Sequence, residues 1–181
     1  MKIYMVNSSE GYELCQPVEQ NDFERINVLI NGVPRRQSWS PINMRVITED
    51  EGEALLESDS PWLGSHALIF RKRAVEKLRV LLEEYGELLP LAAAGVELYV
   101  YNPTRVLDAL DESASGARRF SSGRIMNITR YVFKPEIIRN SGIFKLSCLR
   151  VSPTFAHQEF VDLWAAANLR GLEFKLIYEE S

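Results

Sequence analysis

The stretch from His66 to Asp111 constrains the fold more than any other part of the chain. Residues 66–70 (HALIF) read as a strand. In the following RKRAVEKLRVLLEEY (71–85), Val75, Leu78, Leu81, Leu82 and Tyr85 recur three and four apart among charges. That spacing predicts a helix with one apolar stripe. Gly86 is expected to stop it as a left-handed C-cap residue, and Lys72–Glu76 and Arg79–Glu83 stand four apart on its polar side. Residues 87–102 (ELLPLAAAGVELYVYN) supply one or two further strands, in which Val96, Leu98 and Val100 point to one face and Tyr99 and Tyr101 to the other. A one-striped helix set between strands must bury its stripe on a sheet. The two tyrosines are read as covering a sheet face, with a ligand shelf as the alternative.

The flanking segments extend this pattern. KIYMV (2–6) is an expected strand, and YELCQPV (12–18) an extended segment that Pro17 confines to an edge. FERINVLI (23–30) is ambiguous between helix and strand, Asn31-Gly32 marks a turn, and MRVIT (44–48) a short strand. RVLDALD (105–111) reads as a short helix or turn burying Val106, Leu107 and Leu110, and residues 112–123 as a surface loop. Strands are expected at 125–133 and 143–149, with a helical turn at 134–139 between them. Ser152-Pro153 is the expected start of a second helix that places Phe160, Trp164 and Ala167 on one face. A final strand follows Gly171, with Leu172, Phe174, Leu176 and Tyr178 on a shared face. The expected class is α+β: a mixed or mostly antiparallel sheet packed with two main helices, at about 71–85 and 154–168. Residues 1–181 suit one domain, in which residues 1–30 either take part directly or form a small N-terminal lobe.

A chain of 181 residues can bury roughly 70% of the surface its unfolded form exposes, so it needs neither disulfide nor metal to fold. Its 46% hydrophobic and 25% charged residues are those of a globular protein. A net charge of −4 argues against a dedicated nucleic-acid binder. Cys15 and Cys148 form no CxxC pair and read as small reduced core residues. Neither a leader peptide nor a membrane span is expected, which points to the cytoplasm.

Catalytic patterns are sparse. His66 and His157 are isolated, so neither a metal nor a cofactor is expected. Cys148 with His157 is the only thiol–imidazole pairing to consider, and Cys148 lies in the apolar run FKLSCL, where a thiol is not activated. Asp108 and Asp111 share one side of a turn, where carboxylates cap backbone more often than they transfer protons. Arg71, Lys72, Arg73, Arg118, Arg119, Arg124 and Arg130 would form a basic patch if the fold gathered them. The densest charge is acidic: Glu49, Asp50, Glu51, Glu53, Glu57 and Asp59 crowd one segment, followed by Pro61 and Trp62. This segment is either a solvated surface stretch or a docking patch for a basic partner.

Several of these pieces, taken in order, resemble a known family. They are Asn31-Gly32-Val33-Pro34, HALIFRKRAVEKLRVLLEEYGELLPL, VELYVYNPTRVLDALDESAS, IFKL and FVDLWAAANLRGLEF. Together they are similar to family eleven of the immunity proteins of bacterial polymorphic and contact-dependent toxin systems, formerly a domain of unknown function. The similarity covers about four-fifths of the chain and is weakest over residues 1–30. One departure is Phe70-Arg71, where the family often has a serine before the first helix, which bears on that helix's N-cap. The resemblance implies a protein without an enzymatic reaction that binds and neutralises a cognate toxin in the producing cell's cytoplasm. With the composition and the sparse chemistry above, no cofactor, no nucleic-acid and no membrane partner is expected, and a homo-oligomer stays open. For such a binder the expected partner-binding residues are Glu49, Asp50, Glu51, Glu53, Glu57, Asp59 and Trp62.

Overall fold

The computed structural model describes residues 1–180. In chain order the elements begin with β1 (Lys2–Ser8), β2 (Leu14–Pro17), α1 (Asp22–Leu29), β3 (Asn43–Ile47), β4 (Glu49–Asp50) and β5 (Glu53–Ala54). The central unit is β6 (Ile69–Arg71), α2 (Lys72–Tyr85), β7 (Gly86–Ala93) and β8 (Leu98–Pro103). There follow β9 (Val106–Leu107), β10 (Gly116–Arg119), β11 (Ile125–Arg130), α3 (Pro135–Ile138) and β12 (Ile143–Leu146). The last elements are β13 (Phe155–His157), α4 (Gln158–Ala166) and β14 (Leu172–Glu179).

Two five-stranded sheets result, so the class is α+β with mixed pairing. One has the order β14-β1-β13-β12-β9 and the other β2-β3-β7-β8-β6. Each is antiparallel except for one parallel pair, β12 with β9 in the first and β3 with β7 in the second. Residues 1–30 contribute to both: β1 lies between β13 and β14, while β2 is an edge strand of the other sheet, as Pro17 requires.

Period-two alternation sends the side chains of each sheet into different cores. Leu88, Phe70 and Tyr101 of one sheet, and Val6, Ile143 and Ala156 of the other, share a central core. The α2 stripe (Val75, Leu78, Leu81, Leu82) and Phe160 and Trp164 of α4 fill it. Leu89, Leu91, Leu98 and Val100 point the opposite way, to an outer core closed by Ile26 of α1 and Ile30 just after it. Ile3, Phe144, Leu146 and Phe155 form a third core with Leu110, Phe133 and Ile138. The β8 tyrosines thus cover a sheet face. Tyr101 is fully buried, and its hydroxyl donates to the Leu82 carbonyl oxygen at 3.0 Å.

Local readings differ in four places. Gly86 is extended (φ −175°) and opens β7 with no left-handed turn. A Cβ there would stand 2.5 Å from the Asn102 carbonyl oxygen and 2.8 Å from the Tyr101 ring, so the glycine serves close approach. Residues 106–107 form a strand, not a helix, because Lys145 and Leu146 offer them a parallel neighbour. The expected loop at 112–123 contains β10, which pairs with β11. Residues 155–157 belong to β13, so α4 begins at Gln158. Ser152 Oγ accepts from Leu146 N–H at 2.8 Å and takes no part in capping.

Candidate partner-binding surface

The acidic segment is a two-strand hairpin standing apart from both large sheets. β4 and β5 pair as Glu49↔Ala54 and Asp50↔Glu53. Glu51 (φ 48°) and Gly52 (φ 87°) make the turn, both in the left-handed region as a tight hairpin loop demands. Two local costs accompany this geometry. Glu51 occupies a conformation worth roughly 1–2 kcal/mol against an L side chain, and Asp50 faces Glu53 as a like-charged cross-strand pair. Glu49, Asp50, Glu51, Glu53 and Glu57 are all exposed, as is Leu56 at 60%.

The base of the hairpin is anchored. Leu55 N–H donates to the Thr48 carbonyl oxygen and Leu56 N–H to that of Gly11, both at 2.8 Å, and Glu13 N–H donates to the Leu56 carbonyl oxygen. Asp59 differs from its acidic neighbours. It is 6% exposed, its carboxylate accepts from Arg73 at 2.8 and 3.0 Å, and it also accepts from the backbone N–H of Arg170 at 2.8 Å. Asp59 therefore ties the segment to α2 and to the turn before β14 and presents no free carboxylate. Arg71 donates to the Ser58 carbonyl oxygen and to the buried Glu13 carboxylate, each at 2.8 Å. Trp62 is half-buried, and its backbone bonds Glu13 and Cys15. Leu56, Glu57, Asp59, Arg71, Arg73 and Arg170 line a pocket of about 190 Å³ at this base.

The other candidates are dispersed. Lys72 pairs with Glu97 at 3.2 Å rather than with Glu76, while Arg79 pairs with Glu83 at 3.0 Å as spaced. Arg71, Lys72 and Arg73 each meet a carboxylate, and Arg118, Arg119, Arg124 and Arg130 lie on or beside β10 and β11. Asp111 accepts from Ser113 N–H and Ala114 N–H, a capping role. His157 Nε2 lies 2.8 Å from the Ile138 carbonyl oxygen and 3.1 Å from Ser141 Oγ, and burial lowers its pKa. Burial raises the Cys148 thiol and pushes Cys15 up to about 12, away from thiolate chemistry. Among the described residues no three His, Cys, Asp or Glu side chains gather as a metal site, and no helix is long and apolar enough to cross a membrane.

Two buried polar side chains went unnoticed in the sequence. Asn102 accepts from Gly32 N–H at 2.9 Å and donates to the Val33 carbonyl oxygen at 3.0 Å. Lys145 Nζ donates at 2.6 Å to the carbonyl oxygens of both Ile30 and His66. These bonds bring together separate pieces of the resemblance (NGVP, the start of HALIF, the end of LYVYN, and IFKL) at one junction between the sheets. No curated protein matches the chain. Residues 92–179, from the end of β7 to the last residue of β14, match the Immunity protein family (Imm11), the family that the ordered sequence pieces resemble.

Proposed function

We propose that this protein is an immunity protein that binds a cognate toxin domain in the producing cell and blocks it by occupying its surface, without a reaction of its own. The observation that carries this reading is the family match over residues 92–179. The acidic hairpin is the proposed docking element. Five exposed carboxylates, Glu49, Asp50, Glu51, Glu53 and Glu57, project from it beside the half-buried Trp62. A strained, like-charged hairpin gains nothing for the fold, and charge concentrated in this way steers a basic partner into encounter. Asp59 supports the hairpin from beneath.

The test is co-expression with the variable C-terminal domain of a large toxin encoded beside this chain. The expected results are survival of the cell and co-purification of the two proteins. Absence of both protection and complex sinks the reading. Within a complex, reversing Glu49, Asp50, Glu51 and Glu53 to lysine slows association by about ten-fold or more at low ionic strength, with the gap narrowing as salt is added. An association rate equal to that of the native chain at all salts removes the acidic hairpin from the interface.

A further inference from the structure

A second exposed hairpin has the opposite charge. Residues 116–130, which span β10 and β11, hold Arg118, Arg119, Arg124 and Arg130 and no carboxylate, in a chain of net charge −4. The two strands pair only with each other. The inner side of the hairpin is fixed, since Ile128 and the partly buried Ile125 pack into the third core. Ala117 stands opposite Ile128, whereas Arg118 stands opposite Asn127 on the outward face. Phe120 and Met126 are 47% and 53% exposed, and the Arg124 guanidinium carbon lies 5.8 Å from the Phe120 ring centroid.

Two of the four charges are already engaged. Arg119 pairs with Glu112 and donates to the Gly123 carbonyl oxygen at 2.7 Å, and Arg130 donates to the Ala114 carbonyl oxygen. Arg124 meets only Ser122 Oγ, at 3.4 Å, and the Phe120 ring, and Arg118 has no side-chain hydrogen bond or carboxylate among the described residues. Arginine, phenylalanine and methionine together are the composition enriched in the centres of protein interfaces.

We infer that the outward face of this hairpin docks a carboxylate-rich surface of a protein partner, through Arg118 and Arg124 around Phe120 and Met126. Charge complementarity selects the occupant. A polyanion such as nucleic acid needs many cationic contacts in a row, and only two free arginines stand here, on a chain that is otherwise acidic. A folded acidic surface needs few contacts and gains from the apolar side chains between them.

The test is binding of the full chain to immobilised poly-L-glutamate, with a single-stranded oligonucleotide of matched charge as the competing probe. At low salt the native chain binds the polyglutamate, and an R118E/R124E variant binds about ten-fold more weakly, as expected when two attractive contacts become repulsive. F120A weakens binding by a smaller factor. All three substituted positions are exposed, so an unchanged melting temperature verifies that the variants fold. Equal binding by native chain and R118E/R124E overturns the inference. So does tighter arginine-dependent binding of the oligonucleotide, which makes the face a nucleic-acid site. So does self-association in sedimentation that R118E/R124E abolishes, which makes the occupant a second copy.

Discussion

Single residues here divide between those that hold the fold and those that face solvent, and residue type does not reveal which is which. Asp59 is the clearest case. It belongs by sequence to a run of six carboxylates, yet it is buried against Arg73 and the Arg170 backbone N–H. The Arg73 side chain is itself 52% exposed, so solvent screens that ion pair, and the bond to the partly buried Arg170 backbone N–H carries more weight. Asp59→Ala is expected to destabilise the protein by about 1–2 kcal/mol, since it leaves the partly buried Arg170 N–H and the Arg73 guanidinium without their shared acceptor. Glu53→Ala is expected to change stability by no more than about 0.5 kcal/mol, as a surface substitution. Urea denaturation of the two variants checks both values, and equal losses would show that Asp59 is no anchor. Lys145 is a second buried charge, held by two carbonyl oxygens, and burial lowers its pKa to about 8.

At the scale of elements, the strand–helix–strand unit was legible because it follows simple periodicities. The α2 stripe faces the central core, and the alternation in β8 separates Leu98 and Val100 from Tyr99 and Tyr101. The errors have a common cause: short segments whose state is decided by a distant neighbour. Val106 and Leu107 are extended because Lys145 and Leu146 lie alongside, and Phe155–His157 are extended because Ile3–Met5 do. No local pattern contains those partners. Glycine was misread in a related way. Gly86 looked like a cap, but its backbone is extended and its missing side chain makes room for Asn102 and Tyr101. Gly86→Ala is therefore expected to cost about 1–3 kcal/mol through overpacking, although φ there suits any residue. Thermal unfolding measures this, and a loss within a few tenths of a kcal/mol would show that the close approach of Asn102 and Tyr101 does not exclude a side chain there. The charged hairpins differ in how plainly the sequence shows them. Acid density marks Glu49–Glu57, and the strand at 125–133 is legible, whereas its partner β10 falls within the expected loop at 112–123. The basic residues at 71–73 that the sequence groups with the hairpin's arginines are paired with carboxylates.

At the scale of the whole molecule, the pieces that resemble the immunity family turn out to be joints. Asn102 clamps Gly32 and Val33, and Lys145 links Ile30 to His66, so these residues bind segments of the chain to one another. That explains why they disclose a fold and no partner-binding position. The same junction sets a pH dependence. Burial and the nearby Lys145 charge lower the His66 pKa from 6.5 to about 4. The unfolded chain then binds the proton more readily, so stability is lost as pH falls from about 6.5 towards 4, on the order of 2 kcal/mol from this group once solvent screening of the half-buried ring is allowed for. Burial of His157 adds in the same direction. Urea midpoints across this interval should fall less steeply for His66→Gln than for the native chain, and parallel curves would show that His66 is not responsible.

The position of β1 has a consequence for when the fold can close. Ile3 lies between His157 and Tyr178, so the opening strand has no ladder to join until the far end of the sequence exists. Such long-range closure slows folding relative to a chain of local contacts. A ribosome part-way along the message thus holds an unfinished first sheet, and an early stop codon, even one just ahead of β14, would leave Lys2–Ser8 bare along one edge. For the proposed function this means that synthesis of the chain must run ahead of the toxin by at least one complete round of translation and closure.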